Sequence, residues 1–207
     1  MSPARLDPAR EALVALAAAL ATRGAAVVRE AVRRAAREAD PDAAEEVLLQ
    51  SHLFVGFPDA LGALAAWREA SGRPAPASLG EGCEGWTGRG ERVCARVYGA
   101  NYPKLRANVA GVHPEMDRWM VEGGYGRVIG RPGLDLATRE LCIAALLAVW
   151  NTPRQLHSHL RGALNAGASA DEVEAAVEVA CGFLDEAAAG RVRGLWGEVR
   201  GRVVRPD

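Results

Sequence analysis

Apolar residues recur three and four apart along most of the chain, with abundant Ala and Leu. Alternating runs rich in Val, Thr and aromatics do not occur. That period gathers the apolar residues on one face of a helix, so the chain reads as all-α. Caps mark the helix starts. Asp7 precedes Pro8 and Asp40 precedes Pro41, each an acceptor followed by a proline whose missing N–H costs nothing at the first helical position. Thr152 with Gln155, and Ser169 with Glu172, have the spacing of capping boxes. Gly24, Gly72 and Gly167 end or break helical patterns. These marks predict helices near 8–22, 25–39, 41–55 and 58–70, then 89–99, 103–111, 114–123, 136–150, 153–166, 170–188 and 190–203. The stretch 71–87, rich in Gly and Pro, reads as irregular, and Gly123-Gly124-Tyr125-Gly126 reads as loop punctuation.

The helix from Leu136 to Trp150 is apolar on every face after Glu140, which places it in the middle of a bundle. Glu140 is then an acid in the opening turn of a buried helix. It serves either to complement the helix dipole or to carry a proton in a partly desolvated place. His157 and His159 follow on the next helix, pointing roughly 200° apart on either side of the stripe Leu156, Leu160, Ala163 and Leu164. Periodicity does not choose between them, and a near-neutral pKa makes either a natural acid–base group. His52 lies in another apolar helical run, Val47 to Val55.

A faint internal repeat appears at an offset of 129 residues. It sets Arg10-Glu11 on Arg139-Glu140, Asp42 on Asp171, Glu45 on Glu174, Trp67 on Trp196 and Glu69 on Glu198. The expected organisation is a first repeat over 1–71, a linker over 72–88 and a second repeat over 89–207, packed as one globular unit.

The 207 residues are 49% hydrophobic and can bury a substantial core. With 25 Lys+Arg against 26 Asp+Glu, the net charge of −1 gives no electrostatic reason to bind nucleic acid or an anionic membrane. No uninterrupted apolar run reaches the ~18 to 20 residues of a bilayer span. The opening residues Met1 to Arg10 are charged and carry Pro3 and Pro8, unlike a secretory leader, so a cytoplasmic location is expected. Cys83, Cys94, Cys142 and Cys181 lie too far apart for a zinc knuckle or a disulfide framework. Phosphate loops, G-x-S-x-G, H-E-x-x-H and metal-ligand spacings are absent, so neither a metal nor a cofactor is expected.

The segments Tyr125-Gly126-Arg127-Val128, Arg131 to Leu141, and His159 to Ala168 followed by Asp171-Glu172-Val173 resemble the carboxymuconolactone decarboxylase family. Glu46 to Gln50 and Val55 to Leu61 resemble a later part of the same family domain, displaced here into the first half. The resemblance spans about residues 8–70 and 105–190 and looks like two diverged copies of one helical unit. It implies a duplicated alkylhydroperoxidase-like bundle of helical hairpins and self-association into a homo-oligomer. It also implies a cofactor-independent carboxy-lyase acting on a small carboxylated lactone or related acid, or else a non-catalytic scaffold or ligand-binding member. Glu140 and His159 take the family's glutamate and histidine places. The two cysteine places of the peroxidase branch fall on Thr152 and Gln155, which removes the thiols that dithiol peroxide reduction needs. In the first copy Glu11 matches Glu140, while Glu30 stands in the histidine's place. Arg139 and Arg161 are candidates to pair with a substrate carboxylate, and His52 to contribute from the first copy.

Overall fold

The computed structural model describes residues 6–78 and 80–204, with only the backbone of Val203 and Val204. The opening residues that bear on a leader (1–5), and residues 205–207 at the end of the expected second repeat, lie outside the described residues. The chain is all-α, with no strand among the described residues. Its helices are α1 (Pro8–Ala21), α2 (Ala25–Glu38), α3 (Pro41–Ser71), α4 (Trp86–Tyr98), α5 (Tyr102–Val112) and α6 (Pro114–Trp119). A π-helix (Met120–Ile129) follows, then α7 (Leu136–Val149), α8 (Pro153–Ala166), α9 (Ala170–Cys181) and α10 (Glu186–Val204).

Three of the expected caps are in place. Asp7 accepts from the Arg10 N–H, Asp40 from those of Asp42 and Ala43, and Ser169 with Glu172 closes a full capping box. Thr152 does not cap α8. Its backbone sits at φ −114°, ψ 75°, and its hydroxyl instead donates to the Leu147 carbonyl at 3.2 Å, tying the turn back to α7. Gly72 and Gly167 end α3 and α8 with positive φ, while Gly24 opens α2 rather than closing α1.

The core is built on two helices with small side chains. Ala12 to Ala21 of α1 and Thr138 to Ala148 of α7 are buried without interruption. The two helices pack against each other at the centre, and α2, α3, α8 and α9 close around them. An all-round buried helix needs no polar face, which is why these two show little amphipathic pattern. α3 is broken at Gly56, whose φ of 82° re-aims the helix just ahead of Pro58. By length and mean hydropathy α3 would suffice to cross a membrane, which counting uninterrupted apolar residues does not reveal. In the fold its first half carries buried Glu45 and Glu46, and the helix packs on α1 and α2.

The expected helix over 170–188 is two helices. Gly182–Leu184 turn, and Asp185 accepts the Ala188 N–H at 2.8 Å to start α10. Residues 123–126 are not a loop either but lie within the π-helix, where the Gly130 N–H reaches the Tyr125 carbonyl five residues back at 2.8 Å. Its glycine has a steric reason. A Cβ on Gly126 would fall 2.1 Å from the Trp86 carbonyl oxygen, and one on Gly90 2.0 Å from that of Val121, so α4 and the π-helix cross backbone to backbone.

Candidate active site

Asp135 caps α7 by accepting the Thr138 N–H at 2.9 Å and the Thr138 hydroxyl at 2.6 Å. One turn further in, Glu140 is fully enclosed. Two residues after α7 the chain reverses through Asn151, at φ 57°, into the antiparallel α8. That hairpin brings His159 opposite Glu140, with Nδ1 and Oε2 2.7 Å apart. His159 is 6% exposed, whereas His157 lies on the more open flank, so burial selects between the two. With the carboxyl ionised, Nδ1–H donates to it and Nε2 is left as the ring's free lone pair. Nε2 has no hydrogen-bond partner among the described residues, and Glu140 Oε1 is buried without one.

Gly162 makes this meeting possible. A Cβ there would stand 2.6 Å from Glu140 Oε2 and 2.7 Å from Val97 Cγ1. The sequence pattern around Gly162 does not reveal this role, although a glycine in mid-helix costs about 1 kcal/mol against Ala and so asks for a reason.

Aromatic edges bound the imidazole. Phe54 from α3 meets it at 6.4 Å between centroids and Tyr98 from α4 at 6.3 Å, with Tyr125 of the π-helix behind Tyr98 at 6.1 Å. Burial pushes the Tyr98 phenol up to about 12 and holds Tyr125 well above the usual phenol range, so both stay protonated. Burial, with the Glu140 charge adding to it, lifts the Cys94 thiol to about 12, and burial lifts Cys142 to about 12. Neither thiol is a nucleophile near neutrality. Thr152 is partly buried and Gln155 exposed.

The side chains of the other candidate residues make no hydrogen bond or ion pair with those of Glu140 or His159 among the described residues. Arg139 is fully buried and donates to Glu46 at 2.9 Å, to Gln50 at 3.3 Å and to the carbonyls of Arg131, Pro132 and Leu134. Burial lowers its pKa against the opposing pull of Glu46. Its donors hold the loop before α7 and the first half of α3 together. Arg161 lines a hollow of about 140 Å³ with Tyr98, His157 and Asn165. There burial, with the Arg161 charge next, pulls the His157 pKa down. His52 bonds through Nδ1 to the Leu49 carbonyl at 2.6 Å and lies beside Phe57. Among the described residues no group of three His, Cys, Asp or Glu side chains is placed to hold a metal.

The arrangement is thus a buried carboxyl–imidazole pair with one ring nitrogen unengaged, suited to moving a proton. Residues 114–195, which contain both groups, match the model of the carboxymuconolactone decarboxylase family. That match supports a relationship of this segment, less than half of the chain, to the family. No curated protein matches the sequence.

Proposed function

We propose that the chain is a carboxymuconolactone decarboxylase-like enzyme whose Glu140–His159 pair transfers a proton during cofactor-independent decarboxylation of a small carboxylated lactone or related acid. The observation that carries the reading is the 2.7 Å contact between two buried titratable groups, with Nε2 unengaged. When the carboxylate's C–C bond breaks, CO2 leaves and the electron pair stays behind as an extended enolate. His159, protonated on both nitrogens, delivers the Nε2 proton to carbon and is recharged from water. Glu140 remains ionised at Nδ1, fixing the ring and stabilising its charged form. Arg161, which lines a hollow with Tyr98, the ring that meets His159 edge-on, is the guanidinium assigned to the substrate's acid group, while Arg139 is already committed to the fold. The second-half unit acts alone in this reading, with the first half as a diverged copy. The same reading expects self-association, for which exposed Val112, Met116 and Trp119 offer an apolar surface, and a cytoplasmic setting.

Small lactones and carboxylic acids are screened for CO2 release, with peroxide reduction as a control. For any substrate found, His159→Ala and Glu140→Gln lower turnover by ~10²-fold or more. Unchanged turnover in either variant overturns the assignment.

A further inference from the structure

A second cavity is built without Glu140 or His159. The two halves of α3 and the end of the π-helix enclose a hollow of about 230 Å³. Leu48 comes from the first half of α3 and Leu64 from the second. On an unbroken helix they would point about 160° apart, and the turn at Gly56 brings both to one wall. Val128 of the π-helix adds to the floor. At the rim Phe57 and Leu61 are 65% and 60% exposed, large apolar side chains left in water over an apolar floor.

The polar lining has one sign. Arg127 makes no ion pair or hydrogen bond among the described residues and lies over the Trp86 ring at 5.3 Å. Arg131 is held by Glu46 through Nε and one terminal nitrogen, which leaves Nη1 without a partner. Glu46 is shared with Arg139, and Glu81, the other acid near Arg131, is held by Arg89. Guanidiniums therefore outnumber carboxylates here, one of them immobilised and one unspent. His52 lines the same wall, with its Nδ1 used by the Leu49 carbonyl. An apolar hollow of this size, smaller than the ~300–1,000 Å³ of drug-sized pockets, with fork-shaped cations at its mouth fits a small anion carrying an apolar body.

We propose that this hollow is a binding site for a small amphipathic monocarboxylate, its apolar body between the halves of α3 and its carboxylate on Arg127 and Arg131. The probe is octanoate, titrated calorimetrically into the full chain, with its uncharged amide for comparison. One saturable site is expected, with the amide binding about 10-fold more weakly. Arg127→Gln weakens octanoate about 10-fold and Arg127→Lys recovers part of the loss. Leu61→Glu, at an exposed position that does not endanger the fold, weakens it similarly by like charge. His159→Ala leaves the affinity unchanged, which separates this site from the proposed proton-transfer centre. The proposal is overturned if octanoate shows no saturable binding, or if Arg127→Gln and the amide bind as well as the parent pair. It is equally overturned if sedimentation shows a dimer that Leu61→Glu dissociates, since a second copy then fills the hollow.

Discussion

Gly162→Ala sets two physical effects against each other, and the structure says which wins. Replacing glycine by alanine inside a helix contributes about 1 kcal/mol of stability through propensity. At this site the new methyl would stand 2.6 Å from Glu140 Oε2 and 2.7 Å from Val97 Cγ1, both inside the core. Overpacking of this kind costs ~1–3 kcal/mol, so the net effect is a loss of up to about 2 kcal/mol. For a chain of this size that lowers Tm by about 2–4 °C per kcal/mol. Gly194→Ala is the reference. It lies in mid-helix in α10, where a Cβ meets nothing within 4 Å, and it should raise Tm. Thermal unfolding followed by circular dichroism reads both. Because half of the clash is with the carboxylate, adding Glu140→Ala to Gly162→Ala recovers part of the loss, a non-additivity expected only of touching groups. If Gly162→Ala is as stabilising as Gly194→Ala, Glu140 does not lie against α8 and the carboxyl–imidazole pair loses its geometry.

Further outcomes follow from the same packing. Glu46→Ala leaves the buried Arg139 and its neighbour Arg131 without their shared carboxylate, and should cost ~3–5 kcal/mol in a denaturant titration. Glu45 is held below the usual carboxylate range by its hydrogen bonds from Arg68, with burial opposing and Trp67 assisting. A carboxyl with a depressed folded pKa contributes stability that is fully present above its unfolded value, about 4.3, and is lost as pH falls through the folded value. Glu45→Gln should therefore flatten the acid limb of stability against pH while changing its slope little above pH ~6. Of the four thiols only Cys83 is exposed. It alone should react quickly with a thiol reagent at neutral pH, and rapid modification of Cys94 or Cys142 would contradict their burial.

What could be read from the sequence follows how local its cause is. Asp7, Asp40 and Ser169 cap their helices because a cap needs only residues a turn apart. Thr152 failed as a cap because its hydroxyl was claimed by Leu147, across a turn whose shape the sequence does not print. The break between α9 and α10 was hidden by Phe183 and Leu184, which prolong the apolar pattern through the turn, although Asp185 was there to read as a cap. Of the site, Glu140 and His159 were visible through the all-round apolar helix and the family resemblance. Phe54 and Tyr98 were not, since each reaches the imidazole from a distant helix and nothing local marks it. Arg139 looked like a free cation beside Glu140. A helix neighbour points elsewhere, and there it met Glu46 from a segment 93 residues away.

The two halves of the chain answer one question differently: what partners the glutamate near the start of the hairpin. Displaced by 129 residues, α1 falls on α7 and α2 on α8 to within a residue at each end, and Gly56 falls on Asp185, the break before α10. Buried Trp67 falls on buried Trp196. In the second hairpin Glu140 is fully enclosed and meets an imidazole. In the first, the side chain of Glu11 is 38% exposed and meets the Arg34 guanidinium at 2.7 Å, while Glu30 turns to the surface beside Arg33. Glu11 raises the Arg34 pKa further above its already high value. A guanidinium so held keeps its protons at any physiological pH, so the first pair can stabilise but cannot exchange a proton. An imidazole with one nitrogen anchored and the other open can do both. The two hairpins thus differ in whether arginine or histidine faces the carboxylate, the first holding a guanidinium ion pair and the second a carboxyl–imidazole pair, and only the half that holds histidine also buries its acid.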